Sequence, residues 1–256
     1  MGRASIVRSY AGLPLRFCGW LALLLASLAG AATAAAPAPQ DIRFPTGTHS
    51  VDLRGSVQGD AARSYRLPAS AGQTLRVELQ ASRGAQYFNI VSPGSNEAMF
   101  RGDIGGLRAE VLLPADGVYL IQTYLMRSAA RRNELSRYTL KVSLGGDALP
   151  ALPGAQDAKV PQTHFHATAP LRCQPPYGAP ATTCEAGVVR RGRDGTATVE
   201  IRGPNQLFRQ ILFVKGRAVA SNSAQTMQSR READTHVVDF DGQERYDIPD
   251  ALLTGG

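Results

Sequence analysis

Short runs of alternating polar and apolar residues fill most of the chain between residues 63 and 144. In one of them Leu75, Val77 and Leu79 share a face while Arg76 and Glu78 share the other, as in a strand buried on one side. The pattern predicts strands at 63–67, 73–79, 86–91, 107–113, 118–125 and 137–144. Turn sequences separate them at 68–72, 93–96 and 114–117. About eight strands at this spacing predict an antiparallel β-sandwich over residues 41–146.

A second, smaller β domain is predicted over residues 163–256. Strand-like runs occupy 196–202, 208–214 and 236–240, and the pairs Pro204-Asn205, Lys215-Gly216 and Asp241-Gly242 stand where hairpin turns are expected. Residues 147–162 are rich in Gly, Pro and Ala without periodicity, which predicts a linker. The predicted fold class is therefore all-β, an antiparallel sandwich followed by a smaller domain.

The N-terminal segment is typical of an export signal. Three arginines precede the apolar run 17–29, and Ala32-Thr33-Ala34 has the small-x-small pattern of a cleavage site. We expect a signal peptide over residues 1–34; the alternative is an uncleaved anchor over 17–36. Cleavage predicts a periplasmic or secreted protein without stable membrane insertion.

Cysteine usage agrees with export. Cys18 lies in the predicted signal, so the mature chain keeps Cys173 and Cys184. A single pair in an oxidising compartment predicts one disulfide, which would stabilise the small second domain.

Positive charge is concentrated in one segment. Without the signal arginines the formal charge of +7 falls to +4, and residues 127–141, with four arginines and Lys141 against Glu134, carry +4 on their own. Such a focused patch indicates an acidic partner. A duplex-binding protein spreads its charge over a larger stripe, so no nucleic-acid partner is expected.

Sequence motifs for catalysis are missing. There is no G-x-S-x-G elbow, HExxH, Walker loop or G-x-G-x-x-G, so we expect a protein that is not an enzyme and has no cofactor. His164 and His166 would share one face of a strand, but no third ligand is near in sequence. We therefore predict no metal site and interpret both histidines as solvated.

Two segments remain as candidates for binding. One is 87–98, a strand that runs into a turn, and the other is 119–134, in which Arg127 and Arg131 stand four apart. One helical turn would place both guanidinium groups on one face, where they could bind carboxylates. The residues alone also allow a solvated hairpin loop whose arginines pair with Glu134.

These segments resemble the periplasmic inhibitors of g-type lysozyme. The resemblance rests on Tyr87-Phe88-Asn89 with Pro93-Gly94-Ser95, and on Tyr-Leu-Met-Arg-Ser-Ala-Ala-Arg-Arg-Asn-Glu at 124–134, and it covers about residues 45–145. It implies a β-sandwich that plugs the active-site cleft of a g-type lysozyme. Residues 163–256 resemble an uncharacterised module that accompanies such domains, and the resemblance implies no function for them.

By this resemblance, Arg127 and Arg131 are expected to be the leading contacts with the enzyme, with Arg132 next. Tyr87 and Asn89 either flank the loop or belong to the core and its turn. The alternative is a non-catalytic module that binds peptidoglycan or another anionic envelope polymer through the same face. Both a lysozyme cleft and such a polymer carry carboxylates, so the positive charge of the segment does not distinguish the two hypotheses.

Overall fold

The computed structural model describes residues 37–255, so the predicted signal peptide, residues 1–34, lies outside the described residues. The described residues pack as one compact unit. The first part of this unit contains β1 (Gln40–Asp41), β2 (Ser50–Gln58), β3 (Arg63–Ala69), β4 (Thr74–Ala81), β5 (Gln86–Val91), β6 (Ala98–Arg101), α1 (Gly102–Gly105), β7 (Arg108–Leu112), β8 (Gly117–Leu125), α2 (Arg127–Arg131) and β9 (Leu135–Gly145).

Two sheets of this first part face each other. One has the order β1-β3-β8-β5-β6 and the other β2-β9-β4-β7, and every pairing but the parallel β1–β3 is antiparallel. Alternate residues of each strand enter a shared core that includes Leu75, Phe88, Ile121 and Leu140, all fully buried. The predicted sandwich is confirmed.

One strand that the pattern missed contains a glycine. Gly55 replaces an apolar side chain on the inner face of β2, and a Cβ there would lie 2.6 Å from Oη of Tyr138. The space lets the Tyr138 hydroxyl reach that of Tyr65, at 2.7 Å. Because the Tyr138 ring needs this space, a glycine interrupts the apolar positions of β2, and the alternating pattern did not predict the strand.

The turn predicted at 68–72 begins too early. β3 continues to Ala69, and Pro68 pairs with Val118 of β8. On its other side β3 pairs with β1 only at Tyr65 and Arg66, so Pro68, which has no N–H to donate, lies at an open edge.

The second part of the unit is also all β. Its elements are β10 (Ala167–Gln174), β11 (Thr182–Arg190), β12 (Ala197–Arg202), β13 (Phe208–Val214), β14 (Arg217–Ser221), β15 (Met227–Glu232), β16 (Thr235–Phe240), β17 (Glu244–Pro249) and α3 (Asp250–Thr254). They form one antiparallel sheet in the order β14-β13-β12-β11-β10-β17-β16-β15, which curls into a nearly closed, barrel-like shape. Five of these strands fall outside the predicted runs, and the three predicted hairpin turns lie where expected.

The predicted disulfide is confirmed. Cys173 on β10 and Cys184 on β11 are bonded, with their Cα atoms 5.8 Å apart and a sequence separation of 11. Both cysteines are buried in the core of the second part.

Removing this bond is expected to destabilise the protein without changing its fold. The Cys173→Ala, Cys184→Ala double variant should lose about 2–3 kcal/mol of unfolding free energy, because the open chain regains loop entropy. Urea denaturation with and without reductant measures the loss. A reductant that shifts the double variant as much as the wild type would contradict the assignment of the effect to this bond.

The connection between the two parts is packed against both. Residues 147–162 contain no helix or strand, and the backbone N–H groups of Leu149 and Leu152 donate to the carbonyls of Ala71 and Arg190, each at 2.8 Å. Leu149 also packs in an apolar cluster with Ala71 and Leu212, one from each part. The division into a domain, a linker and a second domain remains a prediction.

Within residues 37–255, no helix has the length and apolar character needed to cross a membrane.

Candidate functional site

The candidate arginines lie on a short turn at one end of the sandwich. We call residues 127–134 the basic turn; it consists of α2 and the residues that lead into β9. The chain leaves β8 at Leu125, and the N–H of Met126 donates to the Ala85 carbonyl at 2.8 Å. Ala129 and Ala130 then enter the sandwich core, 0% and 7% exposed. The two small side chains therefore anchor the turn while its arginines face outward.

A second contact holds the basic turn from the β2–β3 connection. Asn133 adopts a positive φ of 52°, and the N–H of Gly59 donates to the Glu134 carbonyl at 3.1 Å. Gly59 also has a positive φ, 56°, and a Cβ on it would lie 2.7 Å from Oδ1 of Asn133. Glycine is favoured there because other residues rarely adopt this positive φ, and a Cβ would also displace the Asn133 side chain.

Two of the three arginines are free to bind a partner. Arg127 and Arg131 are exposed, and among residues 37–255 no carboxylate lies within 4.0 Å of either guanidinium group. Arg132 differs, since its Nε donates to Oε1 of Glu134 at 2.7 Å. The sequence left open whether the loop arginines pair with Glu134, and in the structure only Arg132 does.

The rest of the charged segment lies elsewhere. Arg137 and Lys141 are on the outward face of β9, where Lys141 stands between Asp52 and Glu78 of the neighbouring strands. The positive charges that are close together in sequence therefore do not form one patch in the structure.

Tyr87 and Asn89 lie on the outer face of the five-stranded sheet, and both are half-buried. Tyr87 stands directly across from Tyr124 of β8, and the Tyr124 hydroxyl donates to Oδ1 of Asn89 at 3.3 Å. Burial raises the pKa of Tyr124 above its ordinary value. The sequence left open whether Tyr87 and Asn89 lie on the surface or in the core, and the structure places both on the surface.

The same strand connects this tyrosine pair to the basic turn, since three positions separate Tyr124 from Arg127. Sequence reasoning did not single out Tyr124 as a site residue. The signal that could have found it is cross-strand pairing, which requires the register between β5 and β8.

The interpretation of His166 as solvated is wrong. His166 is 6% exposed; its Nε2 donates to the Leu152 carbonyl, and its Nδ1 accepts from the backbone N–H of Arg190, both at 2.9 Å. The connection folds back over β11 and covers the ring. His164 is exposed, with Nε2 3.6 Å from a Glu200 oxygen. Residues 37–255 contain no group of three or more His, Cys, Asp or Glu that could hold a metal ion.

Comparisons with known proteins gave matches among solved structures alone: no protein-family model and no curated protein matches the chain. Aeromonas hydrophila PliG, a periplasmic lysozyme inhibitor of g-type lysozyme, is 39% identical over 42% of this chain and 96% of its own, with a TM-score of 0.40. Salmonella Typhimurium PliG is 22% identical over 43% and 100%, and an Escherichia coli PliG mutant is 22% identical over 42% and 100%, each with a TM-score of 0.35.

All three TM-scores are below 0.5, so these superpositions say nothing further about the fold. The 39% identity to the A. hydrophila protein extends over 96% of that protein. The solved chains are inhibitors, which are non-enzymatic proteins, in line with the expectation that this protein is not an enzyme. Through the 42% of its length that aligns, the chain is similar in sequence to a periplasmic lysozyme inhibitor of g-type lysozyme.

Proposed function

We propose that this protein is an exported, non-catalytic inhibitor of a g-type lysozyme, acting in the periplasm or outside the cell. In this proposal the sandwich binds one enzyme molecule and the basic turn occludes its active-site cleft. The observation that carries it is the pair Arg127 and Arg131, which are exposed on a turn that Ala129 and Ala130 anchor in the core and have no carboxylate within 4.0 Å in the described part of the chain.

The chemistry of the target favours such a pair. Glycoside hydrolases cut their polymer with carboxyl groups that flank the scissile bond. A guanidinium group matches a carboxylate with two parallel hydrogen bonds, which gives both strength and orientation. Because the basic turn is held at Ala85, Gly59 and the core, little conformational freedom would be lost on binding.

The tyrosine pair supplies the second part of the proposed surface. Tyr87 and Tyr124 present large, partly exposed rings whose positions are fixed by strand pairing and by Asn89. Rigid aromatic groups near charged contacts are typical of the residues that dominate protein interfaces. We assign Tyr87, Tyr124 and Asn89 a role beside the arginine contacts. Arg132 contributes less than Arg127 and Arg131 because it is paired with Glu134.

Titration of the purified protein into a g-type and a c-type lysozyme tests the proposal. We expect suppression of cell-wall lysis by the g-type enzyme alone, saturating near one inhibitor per enzyme. The c-type enzyme is the matched control for non-specific binding of a basic protein to the cell wall.

If neither enzyme is suppressed, the inhibitor proposal fails. The same protein should then be sedimented with purified peptidoglycan: co-sedimentation that salt reverses would favour the envelope-binding alternative.

A further inference from the structure

The eight-stranded sheet of the second part has an open seam. Its end strands, β14 and β15, follow each other in sequence, but neither pairs with a further strand within residues 37–255. A cavity of about 830 Å³ lies at this seam, with residues of both end strands in its wall. This volume falls within the range of small-molecule and peptide sites.

Both edges direct backbone hydrogen-bonding groups into the seam. β15 and β16 form a hairpin whose closing pair is Glu232 and Thr235, and β-hairpin geometry then alternates bonded and free residues along β15. The free positions are Ser229 and Arg231, and both line the cavity. On β14 the same alternation leaves Ala218 free, next to the irregularity in the β13–β14 pairing. Unpaired edges of this kind are templates for an added strand.

The charge at the seam is positive. Lys215 and Arg217 line the cavity, are exposed, and have no carboxylate within 4.0 Å among residues 37–255. The lining has two acidic residues: Asp194 accepts from the N–H of Thr196 at 3.1 Å, and Asp250 accepts from the guanidinium group of Arg231, with its Oδ1 2.7 Å from Nε2 of His236. Arginine and lysine side chains outnumber the carboxylates in the lining, so an incoming carboxylate would meet a net positive charge.

The wall also offers apolar contact. Val219 on β14 is 42% exposed, and Leu253 of α3 contributes to the lining from below. An extended chain places alternate side chains on opposite faces, so a segment in the seam could direct apolar groups toward these residues and acidic groups toward the cations.

We propose that this seam binds a short, extended, acidic segment of a partner protein, which adds as a strand to the free edge of β15. Its backbone pairs with Ser229 and Arg231, and its carboxylates contact Lys215 and Arg217. The proposal concerns the second part of the chain and is independent of lysozyme inhibition. Strand addition supplies affinity through the backbone, and the side chains supply selectivity.

Three six-residue peptides test this with the full protein: alternating Glu and Val, the same peptide with alternate amides N-methylated, and alternating Lys and Val. We expect the first alone to bind and to shift the NMR amide signals of Ala218, Ser229 and Arg231. The Lys215→Glu, Arg217→Glu variant should weaken its binding roughly tenfold, because two attractive contacts become repulsive. Lys159→Glu with Arg172→Glu, on exposed positions outside this cavity, is the matched control and should bind as the wild type does.

Two results would overturn the proposal. Equal binding of the N-methylated peptide would mean that a simple anion site replaces strand addition. Absence of binding at millimolar acidic peptide, or binding that ignores the charge reversal at Lys215 and Arg217, would rule out the seam as the site.

Discussion

Replacing Arg127 and Arg131 together by alanine is expected to abolish inhibition of g-type lysozyme. Truncating one member of a buried, hydrogen-bonded charge pair costs about 2–5 kcal/mol of binding, so losing two should weaken the complex by about a thousandfold or more. The fold should not suffer, because both side chains are exposed and without carboxylate partners among residues 37–255. We expect the unfolding free energy to change by less than about 0.5 kcal/mol.

Inhibition titrations and urea denaturation of the same preparation separate binding from stability. Arg43→Ala with Arg54→Ala is the matched control, since both arginines are exposed on the first part of the chain and lie outside the basic turn. Arg132→Ala should have a smaller effect than either free arginine, because Glu134 already binds its guanidinium group. A double variant that inhibits as well as the wild type would show that the basic turn is not the contact.

Replacing Arg209 by alanine is expected to cause the largest loss of stability. The side chains of Arg209 and Glu244 are 3% and 1% exposed, and Nη2 and Nε of the arginine bond to the two carboxylate oxygens at 2.5 and 2.8 Å. Burial opposes the charged form of Arg209, but the Glu244 contacts outweigh it and raise its pKa above the ordinary value. Without Arg209, the buried Glu244 carboxylate keeps the Tyr246 hydroxyl, at 2.9 Å, as its one side-chain donor among residues 37–255. The expected loss is about 3–5 kcal/mol.

Chemical denaturation of three variants checks this mechanism. Arg209→Met combined with Glu244→Leu should be more stable than either single change, because it removes both charges rather than one. Glu97→Ala should cost at most about 1 kcal/mol, since Glu97 bonds Arg209 from a side chain that is 60% exposed. A loss below about 1 kcal/mol for Arg209→Ala would mean that Glu244 finds another partner.

Several features of this protein could be predicted from the residues because their causes are local. The alternating run 86–91 and the strand-like run 208–214 identified strands whose bounds are those observed. Lys215-Gly216 closes a hairpin through two positive φ angles, 50° and 71°. Cys173 and Cys184 are the two cysteines outside the predicted signal peptide, and the spacing of Arg127 and Arg131 agrees with one helical turn. In each case neighbouring residues suffice to set the conformation.

Tertiary packing decided which charges are free and which are buried. Arg209 meets Glu97, 112 positions away, and Arg191 meets Asp116 across the same contact between the two parts of the chain. The pattern of polar and apolar residues does not distinguish the buried Arg209 and Arg191 from the exposed Arg127. The difference matters because a buried charge needs a partner and an exposed one does not. The pairing of Tyr87 with Tyr124 and the open seam beside Ser229 likewise follow from strand order. Strand order depends on contacts between residues far apart in the chain, which no local pattern contains.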